Sequence, residues 1–398
     1  MKVAILGAGA MGTGIGQIAA QQGCDVVYFD NYPGAIGRSS ASIEKVFGRL
    51  VEKGRMSKAE KTKTLSRMYW SDELSSIDGA NLVVEAVIED LQVKKELLQK
   101  AEQHLSDTAW LCTNTSSLSI AALSSGLKHP ERFGGLHFFN PAPLMPLVEV
   151  IPGIQSSEDF ADAIEELMVA WGKIPVLAKD TPGFIVNKVA RPFYSEAIKL
   201  YEESVASIAE IDAAVKSMGF RMGPFELTDL IGQDVNYTVT ETVWGQFYYD
   251  PRFRPSITQK RLLEAGLLGR KTGRGFYNYS SGMNAAVEAQ EAAELDPILG
   301  EKIVERILCL IINEGLDAVW LGIASPSNVD LALTKGVNYP KGPISWGQEL
   351  GWDYVLNVLE RCHKFYGDDR YRPCPLLRHL VSENAELGEG SLGDSFMI

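Results

Sequence analysis

The stretch KVAILGAGAMGTGIGQIAAQQGCDVVYFD, residues 2–30, decides the fold of the first part of the chain. It begins as an apolar strand, turns through glycines, continues as a helix to about Gln22 and ends in a second strand. Its glycines have the GxGxxG spacing: the first permits a tight turn, the second lets a pyrophosphate approach the backbone, and the third lets the helix pack closely. The stretch predicts a Rossmann-type α/β domain, with a dinucleotide bound at Gly7, Gly9, Ala10, Met11 and Gly12.

Asp30 closes the second strand of this unit. A carboxylate at that position accepts hydrogen bonds from the adenosine ribose hydroxyls and repels a 2′-phosphate. Asn31 and Tyr32 follow, so no adjacent Arg offsets the repulsion. The sequence therefore predicts NAD rather than NADP as the cofactor. The alternative is that Asp30 is a turn residue at a strand end.

A second strand–helix–strand step follows in LVVEAVIED, LQVKKELLQKAEQ and AWLCTNTSSLSIAAL. Ligands of an open parallel sheet bind beyond the carboxyl ends of its strands. Glu89, Lys94, Asn114 and Ser116 are therefore predicted to lie near the nicotinamide half of the cofactor. For Ser116 the alternative is a helix cap for SLSIAAL.

The stretch GLHFFNPAPLMPLVEV, residues 135–150, holds His137 and Glu149 in two apolar strands joined by a turn. Burying either side chain alone is costly, so the two are predicted to form a hydrogen-bonded pair. The pair could be structural, with a satisfied core histidine. It could also be catalytic, because hydride transfer from a secondary alcohol needs a base, and Glu149 would fix the tautomer of a His137 base.

Composition excludes several partners. The 398 residues carry a net charge of -13, which argues against nucleic acid or an anionic membrane as a partner. The five cysteines have no CxxC spacing, which predicts reduced thiols and no metal site. The start of the chain, MKVAIL, lacks signal-peptide features, and no apolar run is long enough for a membrane span, so a cytoplasmic protein is expected.

A basic insert stands out in this acidic chain, at about residues 38–67. Nine Lys and Arg residues stand there against three Glu residues, a net charge of +6. The length between the strands predicts a helical hairpin. Its charge suits a polyphosphate-bearing substrate such as coenzyme A, or it is an ordinary solvated surface.

The motifs GAGAMGTGI, VVEAVIEDLQVK, TNTSSLSI, RFGGLHFFNPAPLMPLVEV, KDTPGFIVNK and GRKTGRGFYNY together resemble the L-3-hydroxyacyl-CoA dehydrogenase family, in order, over about 280 residues. The resemblance implies a monofunctional enzyme that oxidises L-3-hydroxyacyl-CoA to 3-oxoacyl-CoA with NAD. It implies His137 as the base, Glu149 as its partner, and Ser116 and Asn187 as catalytic polar contacts to the substrate. It also implies Asp30, Glu89, Lys94 and Asn114 near NAD, and a hairpin that binds the CoA moiety.

After Thr181 a pattern of long helices repeats with a period of about 118 residues. IVNK at 185–188 recurs as IVER at 303–306, and DPRFRP at 250 recurs as DDRYRP at 368. The sequence therefore predicts three domains: the NAD-binding domain at 1–180 and two tandem all-α domains at 181–294 and 295–398. The segment around Ser280 to Glu294 is the candidate linker between the two all-α domains. Because the second copy has Glu305 in place of Asn187, it is expected to be structural. The two copies are expected to form a pseudo-dimer within one chain that needs no partner.

Two other functions remain open from the sequence. One is a dehydrogenase of a free hydroxy acid such as L-gulonate, which would not need the basic hairpin. The other is a non-catalytic relative, like the lens crystallins that resemble this family. That alternative predicts a decayed catalytic set, and no member of the set is missing here.

Overall fold

The computed structural model describes residues 1–280 and 282–388. The chain divides into two compact units, Met1–Thr181 and a second that begins at Pro182. The predicted second helical domain runs to residue 398, so its last ten residues lie outside the described part.

The first unit contains an eight-stranded sheet in the order β3-β2-β1-β4-β5-β6-β7-β8. Neighbouring strands run parallel, except that β6 and β7 run antiparallel. The strand order reverses between β1 and β4, which is the switch point where ligands of such sheets bind. The strands are β1 (Lys2–Leu6), β2 (Asp25–Phe29), β3 (Met68–Ser71), β4 (Leu82–Glu85), β5 (Trp110–Thr113), β6 (Phe133–Phe138), β7 (Leu147–Pro152) and β8 (Ile174–Leu177).

Helices connect these strands, and the first of them packs closely on the sheet because of its glycines. A Cβ at Gly12 would lie 1.9 Å from the carbonyl oxygen of Gly7, and one at Gly16 would lie 2.4 Å from the Tyr28 hydroxyl. The Rossmann-type arrangement predicted from residues 2–30 is confirmed. The helices are α1 (Ala10–Gln21), α2 (Ala35–Glu52), α3 (Lys58–Leu65), α4 (Leu91–Glu102), α5 (Ile120–Ser124) and α6 (Glu158–Ala170).

The antiparallel pair β6 and β7 brings two ionisable residues opposite each other. The segment between these strands is too short for a crossover helix, so the chain must return antiparallel. In the resulting register His137 is paired with Glu149. The sheet therefore places the two side chains on the same face.

The second unit is built of helices. They are α7 (Val186–Val189), α8 (Arg191–Glu202), α9 (Ile208–Ser217), α10 (Pro224–Ile231), α11 (Gln233–Gln246), α12 (Ile257–Glu264), α13 (Ala285–Glu291), α14 (Pro297–Trp320), α15 (Pro326–Gly336), α16 (Pro343–Leu350), α17 (Trp352–Tyr366) and α18 (Pro375–Ser382).

The same structural device recurs in the two halves of this unit. Asp212 accepts hydrogen bonds from two backbone N–H groups in the first turn of α10, both at 2.9 Å. Asp330 does the same at the first turn of α16, at 2.7 and 3.0 Å. The helices begin after Gly223 and Gly342, where a Cβ would come within 2.4 Å of these carboxyl groups. The predicted duplication of an all-α unit is therefore confirmed.

The segment from Ser280 to Glu294, expected from its composition to be a linker, instead contains α13. This helix packs on α9, and its Gln290 accepts a hydrogen bond from Lys216 Nζ at 2.7 Å. It therefore belongs structurally to the first copy. The domain boundary at residue 294 remains a prediction.

None of the described helices is long and apolar enough to cross a lipid bilayer. Each of the five cysteines, all within the described residues, is a buried free thiol.

Candidate active site

The glycine turn forms one side of a cleft of about 1090 Å³ at the switch point of the sheet. Gly7, Gly9, Ala10, Met11 and Asp30 line it. Apart from the residues adjoining Gly9 in the chain, no described atom lies within 4 Å of the position that a Cβ would take there, so the backbone at Gly9 is open to a ligand. Size, position and open backbone fit a bound dinucleotide. Gly12, the remaining predicted residue of this turn, is not among the residues that line the cleft; it allows α1 to pack closely against the turn.

Asp30 is fixed at the end of β2 by two hydrogen bonds. Its Oδ2 accepts from the backbone N–H of Ala8 at 2.7 Å, and its Oδ1 accepts from that of Tyr32 at 2.8 Å. A role as a turn residue would explain the contact with Tyr32, but it would not explain the contact with the glycine turn. A carboxylate has about four acceptor positions, so Asp30 retains capacity for ribose hydroxyls.

The cleft also contains Arg38, which the sequence did not assign to the cofactor site. Arg38 lies in the first turn of α2, three residues after Ala35, which lines the cleft as well. Its guanidinium carbon is 6.0 Å from the ring centre of Tyr32. The helical spacing of three residues between Ala35 and Arg38 places both on one helix face, which could have indicated this side chain.

His137 and Glu149 form a buried pair. The distance from His137 Nδ1 to Glu149 Oε2 is 2.6 Å, and the Glu149 side chain is fully buried. An ionised carboxylate can only accept a hydrogen bond, so Nδ1 carries the proton of the neutral imidazole. The lone pair is then on Nε2, which makes that atom the one able to take a proton.

Glu89 holds the turn that contains Ser116. Its Oε1 accepts hydrogen bonds from Thr115 Oγ1 at 2.5 Å and from the backbone N–H of Ser116 at 3.0 Å. Burial acts to raise the pKa of the Glu89 carboxyl, but the Lys94 ammonium and these hydrogen bonds outweigh burial and lower that pKa. The cap of α5 is Ser119, so the alternative role of Ser116 as a helix cap is wrong.

Lys94 lies behind this turn and joins two carboxylates. Its Nζ is 2.7 Å from Glu85 Oε1 and 3.2 Å from Glu89 Oε2, and its side chain is buried. The Glu85 side chain is also fully buried and accepts from Thr113 Oγ1 at 2.6 Å. Glu85 was not predicted from the sequence, although a Glu in the apolar strand LVVE is the same signal as His137 and Glu149 in their strands.

Asn114 joins the ends of two neighbouring strands. Its Oδ1 accepts a hydrogen bond from the backbone N–H of Phe138 at 2.8 Å. Asn114 directly follows β5, and Phe138 ends β6 next to His137. The first unit thus brings Asn114, the Ser116 turn and the His137 pair to adjacent strand ends.

Asn187 belongs to the second unit, in the short helix α7, where it is half-buried. The chain enters α7 through Gly183 and Phe184, both with positive φ, at 75° and 48°.

Among the described residues, no group of three or more His, Cys, Asp or Glu side chains could hold a metal ion.

Two family models match this chain. The family model described as 3-hydroxyacyl-CoA dehydrogenase, NAD binding domain, matches residues 2–181. The model described as 3-hydroxyacyl-CoA dehydrogenase, C-terminal domain, matches residues 183–279 and 303–392.

Similar whole proteins carry related names. The 3-hydroxyadipyl-CoA dehydrogenase of Escherichia coli (strain K12) is 36% identical over 94% of this chain and 96% of its own length. The mitochondrial hydroxyacyl-coenzyme A dehydrogenase of Sus scrofa is 39% identical over 70% of this chain and 90% of its own. A crystal structure of 3-hydroxybutyryl-CoA dehydrogenase from Escherichia coli K12 matches with a TM-score of 0.89 and 36% identity, over 97% of this chain and 99% of that chain.

Proposed function

The chain belongs to the 3-hydroxyacyl-CoA dehydrogenase family, and we propose that it interconverts L-3-hydroxyacyl-CoA and 3-oxoacyl-CoA with NAD. The observation that carries this proposal is the buried His137–Glu149 pair at a strand end of a dinucleotide-binding sheet. It supplies the base that oxidation of a secondary alcohol needs.

In the proposed mechanism, bound NAD supplies the hydride acceptor. Nε2 of His137 takes the proton from the substrate hydroxyl, because Nδ1 is already committed to Glu149. The Glu149 carboxylate then stabilises the imidazolium and keeps the ring in its orientation. In the reverse direction, the same Nε2–H returns the proton to the substrate oxygen.

Two polar residues are proposed to contact the substrate oxygens. The role of Ser116 is supported by its place in the four-residue polar turn that Glu89 fixes at the end of β5. Asn187 is supported by its place in the motif KDTPGFIVNK, which this chain shares with the family. Glu89 and Lys94 act in this proposal by keeping the Ser116 turn in place beside the cofactor.

The coenzyme A moiety is proposed to bind the hairpin of α2 and α3. Ile43 and Phe47 are buried on one face of α2, and the opposite face, which carries the charged side chains, is turned to solvent. Cations held at a surface in this way suit phosphate groups. Besides Arg38, which lines the dinucleotide cleft, the exposed basic side chains of the hairpin are Lys45, Arg49, Lys53, Arg55, Lys58 and Lys63.

The chain is further proposed to work in the cytoplasm as an intramolecular pseudo-dimer without a nucleic-acid partner. Five buried free thiols are typical of a reducing compartment. The net charge of -13 opposes binding to nucleic acid.

Contacts between the two helical copies support the pseudo-dimer. Lys188 of the first copy pairs with Glu314 of the second, and Arg306 of the second copy pairs with Glu196 of the first. Lys188 and Arg306 are 118 residues apart in the chain, and so are Glu196 and Glu314. Equivalent residues of the two copies therefore make equivalent contacts, as at a two-fold interface.

The test compares NADH consumption with acetoacetyl-CoA and with free acetoacetate. We expect turnover of the thioester and little of the free acid, because the hairpin contributes binding only when CoA is present. Equal use of the two substrates would favour a dehydrogenase of free hydroxy acids. Absence of turnover with either, in a protein that still binds NADH, would favour a non-catalytic relative.

A further inference from the structure

We propose that the second helical copy, although it lacks a counterpart of Asn187, positions Asn187 through the neighbouring residue Lys188. The inference rests on the proposed role of Asn187 in contacting the substrate. It makes Glu314 and Asp317 of α14 positioning residues for the reaction, 126 and more positions away from Lys188 in the chain.

The ammonium group of Lys188 forms its ion pairs with carboxylates of the second copy. Its side chain is fully buried, and its Nζ donates to Glu314 Oε2 at 2.7 Å and to Asp317 Oδ2 at 2.8 Å. Both bonds join charged groups out of water, where such bonds are short and strong. Because Lys188 directly follows Asn187 in α7, these bonds fix the backbone that carries Asn187.

The anchor of Lys188 is part of a larger network of ion pairs, so several groups hold it in place. Arg252 Nη1 reaches the same two carboxylates, at 3.2 Å from Glu314 and 3.1 Å from Asp317. Arg252 also pairs with Asp250, with its Nη2 3.1 Å from Asp250 Oδ2, so two cations share three carboxylates. Removing one carboxylate leaves a buried ammonium short of a partner, which is destabilising unless Lys188 moves.

Helix α7 needs such an external anchor because it cannot hold its own position. It has four residues, too few for a stable helix by itself. It starts after Phe184, a buried residue with φ of 48°, a conformation that costs energy and persists only when the surroundings enforce it. The helices packed on α7 include α14 and α15 of the second copy.

The repeat supplies a matched control. Arg306 Nε donates to Glu196 Oε1 at 2.8 Å, and Arg370 lies 3.4 Å from the other oxygen of Glu196. This is the counterpart of the Lys188 anchor with the copies exchanged. The residue before Arg306, however, is Glu305 and not an Asn as in the first copy. This second anchor therefore has no proposed substrate contact to position.

The experiment measures kcat and KM for acetoacetyl-CoA in Glu314→Gln and in the control Glu196→Gln, with activity normalised to the folded fraction. Each variant removes one buried carboxylate charge, so both should lower the unfolding temperature. We expect kcat to fall about ten- to a hundredfold in Glu314→Gln alone, because a misplaced contact group costs rate out of proportion to its displacement. NADH binding should stay as in the wild type in both.

A double-mutant cycle with Asn187→Ala separates this inference from the proposed function. We expect Glu314→Gln to add no further loss in the Asn187→Ala background, because both changes remove the same contact. If Glu314→Gln fails to fold, Asp317→Asn takes its place, since it leaves Glu314 with Lys188. A normal kcat in the substituted anchor, with a low kcat in Asn187→Ala, would overturn this inference alone. A normal kcat in Asn187→Ala would overturn the proposed role of Asn187 and this inference with it.

Discussion

At the scale of residues, charged side chains in apolar strands indicate the site. His137 and Glu149 were predicted as a pair for this reason, and they lie 2.6 Å apart. Glu85 obeys the same rule and holds Lys94, yet its role depends on which residues face it from α4 and β5. Such facing partners come from distant parts of the chain, which a single sequence cannot place.

Asp30 is expected to select NAD over NADP. In Asp30→Ala we expect weaker binding of NAD and a smaller preference over NADP, because the ribose contact and the repulsion of a 2′-phosphate disappear together. Arg38 in the same cleft would then be free to face that phosphate. Steady-state KM values for NADH and NADPH in the wild type and variant measure this. Equal use of both cofactors by the wild type would contradict the assignment.

Asp212 is expected to make stability depend on pH. Burial raises its pKa to about 7, although hydrogen bonds from the backbone N–H groups of Phe225 and Glu226 act to lower it. The unfolded carboxyl has a pKa of about 3.9, so between these values the folded chain keeps a proton that the unfolded chain releases. The stabilisation is therefore present below about pH 4 and is lost as pH rises towards 7.

The comparison variant for this effect is Asp212→Asn, which cannot titrate. The free energy of unfolding of the wild type minus that of the variant should fall by up to about 4 kcal/mol between pH 4 and pH 7. Urea unfolding across this range measures the difference. A difference that stays constant with pH would mean that Asp212 has an ordinary pKa.

At the scale of elements, the hydrophobic periodicity and the turn residues of the sequence predicted the long strands and helices well. The helix predicted to end near Gln22 ends at Gln21. Helix α13 was missed because its composition is that of a linker, and its order comes from Gln290, which contacts α9 and α10. Tertiary contacts of this kind override local propensity, so sequence alone does not reveal them.

The hairpin of α2 and α3 is expected to bind the phosphates of CoA. We expect the KM for acetoacetyl-CoA to rise with salt, and to rise when several exposed cations such as Lys45, Arg49 and Lys53 are replaced by Gln, because salt screens surface charges. The KM for a short acetoacetyl-pantetheine analogue should change much less. The same salt response for both substrates would show that the hairpin is an ordinary solvated surface.

At the scale of the whole molecule, the duplication was visible in the sequence as a period of about 118 residues. What the period could not show is that the copies exchange buried ion pairs. Lys188 with Glu314, and Arg306 with Glu196, depend on side chains more than 100 residues apart. The repeat therefore predicted the fold of the second copy, but it did not predict the buried ion pairs between the two copies.

A chain cut after Glu294 is expected to dimerise or aggregate. The fragment loses Glu314, Asp317 and Arg306, which leaves Lys188 and Glu196 without these partners on an apolar face. Two fragments could pair Lys188 of one with Glu196 of the other, since the exchange is two-fold. Light scattering on the fragment and the full chain measures the masses. A fragment that stays monomeric, soluble and active would show that the second copy covers nothing essential.

The central proposal is that Nε2 of His137 carries the proton in catalysis while Glu149 holds the imidazole ring in place. The most direct measurement is the single-turnover rate of NADH oxidation by acetoacetyl-CoA in His137→Gln, with NADH binding followed separately by fluorescence. We expect the rate to fall by about 10² to 10⁴ while NADH binding is retained, because His137 acts in this direction as a general acid, which contributes rate and not cofactor affinity. A wild-type rate in that variant would contradict the role of His137.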